Sequence, residues 1–357
     1  MSDSLGILNN EVKMGILMEK LLNFDEDRYL GIQIGAVSMA SEIEDLITKL
    51  LNNGATNVFF VGAGGAGILM LPAARLLQNS STFPAFHMMP EELALEGNAH
   101  LGSHSIVVIP SRSGTTRESI AALVLCQGKG AKVITFTCES DTPLALQADY
   151  SFVNFGEDDT SAESFYLQSL LVATSIMHAR GEFSHYGEMV SEMQLLPALL
   201  VKVKREFENK AEDIAVFISN SNYHLISGAG TTWPEAHYYG MCILEEMQWI
   251  RTRPVDGSNF FHGTLELIED GVSLIILKGE DASRPIMDRV EKFALRYTRE
   301  VKVIDSAELL TPGISLATRA LLSPVLLAAA LERVSAHLEL IRDHPLTTRR
   351  YYNIVHY

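Results

Sequence analysis

Two stretches of this chain follow the same rule, and the rule leaves few architectures open. Val58-Phe59-Phe60-Val61 runs into Gly62-Ala63-Gly64-Gly65-Ala66-Gly67 and then a helical stretch over 69–77. Ile106-Val107-Val108-Ile109 runs into Pro110-Ser111-Arg112-Ser113-Gly114-Thr115-Thr116 and then a helix-like stretch over 118–125. A short run that is apolar at every position suits a strand buried on both faces, as in a parallel sheet beneath helices. The pattern continues with strands over 132–136 and 149–153 and a strongly apolar helix over 164–179. Strands over 223–227, 274–277 and 301–304 follow, with an amphipathic helix over 286–297. Such alternation predicts an α/β fold with mainly parallel sheets covered on both faces, and ligands beyond the carboxyl ends of the strands.

With 357 residues, the chain exceeds the usual single core. Its second half repeats the outline of the first, since 227–232 again turns a strand into a helix. We therefore expect a helical appendage over 1–34, with a helix over 12–22, a first domain over 35–195 and a second over 196–357. A helix over 35–51 stops at Gly54-Ala55, and Pro197 breaks or caps the helical material over 190–217.

A formal net charge of −16 disfavours nonspecific binding to nucleic acid or an acidic membrane, both of which need concentrated positive surface. It leaves a small anionic ligand open, because binding of that kind is decided locally. Cys126, Cys138 and Cys242 are odd in number and lack paired metal-ligand spacing, which fits reduced thiols in a cytoplasmic setting. The start, Met1-Ser2-Asp3-Ser4-Leu5, carries no signal pattern, and the apolar run over 321–331 is too short to span a bilayer and reads as a buried helix. His337, His344 and the scattered carboxylates form no metal signature, so no metal is expected.

The loop over 110–116 gathers four hydroxyls, a guanidinium and backbone amides at the opening of a helix, where unpaired N–H groups and the dipole favour an anion. A phosphate fits there; the alternative is that Ser113, Thr115 or Thr116 only caps the helix. The glycine run over 62–67 either lets a backbone approach a ligand or makes a tight strand-to-helix crossing. A dinucleotide reading lacks an acidic ribose partner on the next strand.

Phe60-Val61-Gly62-Ala63-Gly64-Gly65-Ala66, the loop over 110–116, Glu245-Glu246-Met247-Gln248-Trp249, Phe260-Phe261-His262-Gly263 and Thr348-Arg349-Arg350-Tyr351-Tyr352 together resemble the sugar isomerase (SIS) family of phosphosugar-binding proteins. The resemblance implies two tandem SIS domains across nearly the whole chain. Within the family it is most similar to bacterial deglycases that split phosphorylated sugar–amino-acid adducts, and also to the isomerase half of glucosamine-6-phosphate synthase.

It implies that Ser111, Ser113 and Thr116, with the amides of Gly64 and Gly65, bind the sugar phosphate. Arg112 faces the same pocket or solvent. Glu246 is implied as the general base, with a helix cap or ion pair as the bland reading; Glu245 would point about 100° around a helix and cannot be its equivalent. His262 is implied as a second catalytic group, opening the sugar ring from the neighbouring subunit of a homodimer; otherwise it is a satisfied histidine ending a core strand. Arg349 binds phosphate or substrate carboxylate, or pairs with Asp343.

Three positions depart from the family pattern. Ala66 stands where a Ser is common, Ser258-Asn259 replaces Gly-Glu, and Asn353 replaces the synthase lysine. Asparagine forms no Schiff base, which favours a deglycase over a synthase-like isomerase. The expected substrate is glucoselysine 6-phosphate, giving fructose 6-phosphate and lysine. The alternatives are fructoselysine 6-phosphate giving glucose 6-phosphate, a phosphosugar isomerase, or a noncatalytic phosphosugar sensor. No nicotinamide, flavin or pyridoxal cofactor is implied.

Overall fold

The computed structural model describes residues 21–156, 161–352 and 354–355. Most of the helix expected over 12–22, and Asn353, lie outside the described residues. The first sheet joins β1 (Asn57–Val61), β2 (Ala85–Met88), β3 (Ser105–Ser111), β4 (Lys132–Thr137) and β5 (Tyr150–Val153) in the order β2-β1-β3-β4-β5, all parallel. The second joins β6 (Tyr223–Gly228), β7 (Arg251–Asp256), β8 (Leu274–Lys278) and β9 (Val301–Asp305) in the order β7-β6-β8-β9, also parallel. The second order matches the first four strands of the first, so β6 stands for β1, β7 for β2, β8 for β3 and β9 for β4. This is the expected α/β fold with two helix-flanked parallel sheets.

β1, β3 and β8 are buried at every position, as their unbroken apolar runs require. The edge strands β2 and β7 lack such runs, as do β5 and β9 at the opposite edges. In β7 the sequence Arg-Thr-Arg-Pro-Val-Asp carries a proline and two exposed or half-exposed arginines, which an edge tolerates and a central position does not.

The helices Glu26–Ser38, Ser161–Ala179, Leu196–Ser219 and Leu316–Arg342 contribute to a single core that runs through both halves, including Tyr29, Phe60, Leu171, Ile214 and Leu331. The helix expected over 35–51 is divided at Met39 into Glu26–Ser38 and Ala40–Asn52, and the side chain of Asp25 caps the first through the Arg28 amide at 3.0 Å. Residue 34, drawn above as the end of an appendage, falls inside that first helix, whose Tyr29, Ile32 and Gln33 are buried. Pro197 sits in the first turn of Leu196–Ser219, where its missing N–H costs nothing.

The run over 321–331 belongs to a helix of 27 residues, Leu316–Arg342. By length and apolar character alone it could cross a membrane, which corrects the argument from shortness; the burial of most of its apolar stretch within the fold identifies it as a core helix. All three cysteines are free and buried, and burial pushes the Cys126 thiol up to about 12.

Where the helices meet, charged groups are buried deliberately. Lys204 and Glu163 are both fully buried and lie 3.2 Å apart; Lys204 also pairs with Glu332 at 2.8 Å and donates to the carbonyl of Ala329. The Tyr29 hydroxyl donates to Glu163 at 2.9 Å. Arg333, fully buried too, binds Glu208 at 2.7 Å.

Candidate functional site

In a sheet of order 2-1-3-4-5 the strand connections diverge between β1 and β3, and the loops at their carboxyl ends frame a crevice. Those two loops are the glycine run and the hydroxyl-rich turn. Gly114 has φ +61°, and a Cβ there would lie 2.1 Å from Thr142 Oγ1, so the turn requires glycine on two counts. The buried Ser111 Oγ accepts from the Gly114 amide at 3.1 Å and shares a hydrogen bond of 3.1 Å with Thr116 Oγ1. Ser113 Oγ accepts from the Thr115 amide at 3.3 Å and from Thr115 Oγ1 at 3.1 Å.

Thr116 is the N-cap of the helix Arg117–Gly128, yet its side chain makes no capping hydrogen bond. The capping alternative therefore fails at Thr116, leaving its hydroxyl and the first-turn amides available to an anion. The Arg112 side chain is exposed. Its charge works against the burial that raises the Cys138 thiol to about 11. Thr116→Ala is expected to raise KM for a phosphorylated substrate about tenfold, the effect of one lost hydrogen bond to a charged group, while the melting temperature stays unchanged. Steady-state kinetics beside thermal unfolding checks this.

Three glycines of the other loop are explained by packing. Gly62 and Gly67 press backbone on backbone, and a Cβ on Gly65 would lie 2.8 Å from the Tyr238 ring and 3.4 Å from Cys242 Sγ. Gly64 differs: it has φ +57° and open space where a Cβ would stand. Gly65 thus brings the first-half loop against the segment of the second half that carries Glu246.

The equivalent crevice of the second sheet lies between β6 and β8. There Asp281, in the loop after β8, accepts from the Thr231 amide and from the Ser283 amide, each at 2.7 Å. Glu280, one residue earlier, is held by Arg319 at 2.8 Å. The chain's own carboxylate thus occupies amides at the mouth of the second crevice. The sequence carried a signal for this, acidic Glu280-Asp281 where the first half has hydroxyls, but only the pairing of β8 with β3 makes it legible.

The helix Trp233–Tyr238 passes into a π-helix over Tyr239–Glu245, and the amides of Glu246 and Gln248 reach back five residues to the carbonyls of Met241 and Ile243 at 3.1 Å. Such widened turns are rare and recur at functional sites. Glu245 Oε1 accepts from the Thr252 hydroxyl at 2.6 Å and from its amide at 3.2 Å, which commits it to the start of β7. Glu246 goes elsewhere: Oε1 lies 3.0 Å from Arg349 Nε, with the carboxylate side chain 35% exposed.

Beyond it the chain turns sharply, with Trp249 at φ +55°, a left-handed conformation seldom adopted by an aromatic residue. The carboxyl-terminal segment lies over this turn. Arg350 stacks 3.9 Å from the Trp249 ring centre, His344 meets the same ring edge-on, and Gln248 Nε2 donates to the His344 carbonyl at 2.7 Å. Arg349 therefore pairs with Glu246, whereas the sequence had offered Asp343. His337 binds Glu208, an ordinary hydrogen-bonding role.

Phe260-Phe261-His262-Gly263 is the end of a short helix, Gly257–Phe260, and the turn after it, which corrects the core-strand alternative. Phe260 is fully buried and Arg289 lies over the Phe261 ring at 3.9 Å, fixing the turn. His262 itself is exposed, and its backbone amide donates to the Asn259 carbonyl at 2.9 Å. Ser111, Ser113, Thr115 and Thr116 are thus gathered in one turn and Glu246 with Arg349 in another, while His262 projects outward.

The SIS-domain family model matches residues 52–178. The fructosamine deglycase FrlB of Bacillus subtilis is 27% identical over 312 residues, covering 87% of this chain and 95% of that protein. The fructoselysine 6-phosphate deglycase of Escherichia coli K12 is 26% identical over 314 residues, covering 87% and 89%. A Bacillus subtilis crystal structure provisionally described as a phosphosugar isomerase superposes with a TM-score of 0.84 at 27% identity, over 90% of this chain and 99% of that one. Residues 52–178 thus match an SIS domain, and over most of its length the chain is similar to these deglycases.

Proposed function

We propose that the protein is a phosphosugar-amine deglycase that hydrolyses a 6-phosphorylated sugar–amino-acid adduct. The observation that carries the reading is a carboxylate, Glu246, on a π-turn that follows the helix packed against the glycine loop, in a chain whose other crevice loop forms a hydroxyl-lined helix start suited to phosphate. The deglycase names of the two relatives support it. Ser111, Ser113 and Thr116 with nearby amides hold the phosphate, and Arg112 adds positive charge at the rim. Gly64 offers its amide to the same group.

Glu246 relays a proton between the two carbons flanking the carbonyl or imine. For glucoselysine 6-phosphate it takes the C2 proton, giving an enaminol; return of a proton at C1 gives the C2 ketimine, and water then releases fructose 6-phosphate and lysine. For fructoselysine 6-phosphate it takes the C1 proton, and the resulting aldimine takes up water to release glucose 6-phosphate and lysine. Each sequence consumes one water and is redox-neutral. A fixed carboxylate suits the task because proximity replaces an encounter between separate molecules.

His262, acting from the neighbouring subunit of a homodimer, takes the proton of the anomeric hydroxyl and returns one to the ring oxygen as the ring opens; its exposure suits that arrangement. The setting is cytoplasmic, in keeping with three buried free thiols. Glucoselysine 6-phosphate is the substrate expected from the sequence, and the names of the relatives favour the fructosyl adduct as the second reading.

Incubation with glucoselysine, fructoselysine and fructose-aspartate 6-phosphates, following sugar phosphate and free amine together, is expected to show stoichiometric release of both from one adduct class. Interconversion of sugars without amine release would make the protein an isomerase. Binding without turnover would make it a sensor.

A further inference from the structure

We propose that Arg349 recognises the carboxylate of the amino-acid portion of the substrate, and that in doing so it releases Glu246 to act as a base. The inference rests on the deglycase reading and specifies which amines the site accepts. In the structure Glu246 Oε1 lies 3.0 Å from Arg349 Nε, so the guanidinium stands against the carboxylate that would have to reach the substrate carbon. A base so paired needs its partner drawn away before it can work. The partner is poised for that. Arg349 Nε is buried without an aligned hydrogen bond despite its closeness to Glu246, so the contact is one of charge only.

The orphaned nitrogen has company. Among the described residues, Gln248 Oε1, Arg342 Nε and His344 Nε2 are also buried without hydrogen-bond partners. They belong to one junction: Arg342 donates to the Gln248 carbonyl at 3.3 Å, Gln248 to the His344 carbonyl at 2.7 Å, and His344 meets the Trp249 ring beside Arg350. Buried polar groups are ordinarily paired, and a cluster of unpaired donors on two arginines is the chemistry of a carboxylate site.

Arg349 binds the carbonyls of Leu346 and Thr348 at 2.6 and 3.0 Å within its own turn, so the guanidinium moves with that turn. A substrate carboxylate would take the place of Glu246 on Arg349, and the phosphate at the opposite end would fix which sugar carbon meets the freed base. Amines without a carboxylate would leave the Arg349–Glu246 contact intact and would react slowly.

The test compares 6-phosphorylated adducts of lysine with those of lysinamide, and of glycine with those of glycinamide, in both the glucosyl and fructosyl series. Wild-type protein is expected to favour the carboxylate of at least one pair about tenfold or more in kcat/KM, the range of one charge-assisted contact. Arg349→Gln is expected to bring that ratio within about threefold, by losing the carboxylate substrate and not the amide. Arg349→Lys, which keeps the charge but not the fork, should fall between.

Equal treatment of acids and amides by wild type, or an unchanged ratio in Arg349→Gln, would overturn the inference, as would equal loss on both substrates. Equilibrium binding of the same pairs reports the ratio even if no adduct is turned over, so failure of the deglycase reading and failure of this inference are read separately.

Discussion

Glu246→Gln is expected to lower kcat by roughly 10²–10⁴-fold, the range that a positioned general base supplies, with little change in KM. Glutamine preserves the shape and the hydrogen-bonding oxygen but accepts no proton from carbon. The fold should survive: the side chain is about one-third exposed and its one ion pair is with Arg349, a contact whose loss costs about 0–1 kcal/mol at such a position. Circular dichroism and thermal unfolding beside the kinetics separate the two effects.

The same variant tests the placement of His262. Subunits carrying Glu246→Gln and subunits carrying His262→Ala are each expected to be nearly inactive alone. If a site takes Glu246 from one chain and His262 from the other, mixing them by reversible unfolding should restore about one quarter of wild-type activity, since half the dimers are mixed and each has one intact site. No recovery on mixing would place both groups in one chain.

Such arguments began from residues the sequence displayed openly. β1 and β3 were legible because they are buried on both faces and so are apolar throughout, and their loops carry glycine or hydroxyl in contiguous runs. The edge strands β5 and β9 were still legible from short β-branched and aromatic stretches, whereas β2, with His87, and β7, with two arginines and Pro254, have no apolar run long enough to stand out. The single helix expected over 35–51 is interrupted at Met39 by packing on both sides, which periodicity does not encode.

At the site, helical geometry correctly separated Glu245 from Glu246. It could not foresee the π-turn, the commitment of Glu245 to Thr252, or the contact of Glu246 with a residue 103 positions later, because these depend on tertiary partners. Asp281 was hidden for a similar reason: its meaning lies in the equivalence of two sheets whose loops share no residues.

Lys204→Met should destabilise the protein by about 3–5 kcal/mol, the usual result of removing one member of a buried ion pair. Methionine fills the same volume, so the loss would come from the charge it leaves behind and not from a cavity. Glu163, fully buried, loses its one charged partner among the described residues and keeps neutral hydrogen bonds such as that from the Tyr29 hydroxyl, while Glu332 keeps Arg333.

The deficit should depend on pH in a definite sense. Burial raises the Glu163 carboxyl above its ordinary value even with Lys204 opposing the shift. The folded chain therefore holds a proton that the unfolded chain gives up, and the stability contribution of this group falls as pH rises from the unfolded value through the folded one. Without Lys204 the folded value rises further, so urea denaturation should show a larger loss at pH 8 than at pH 5. The double variant Lys204→Met/Glu163→Gln, neutral at both positions and still able to accept from Tyr29, should recover most of the loss and remove its pH dependence. A double variant no more stable than Lys204→Met would mean that the lysine acts chiefly through Glu332 and the Ala329 carbonyl, and that the joint between the two halves is held by the rim of this cluster and not by its centre.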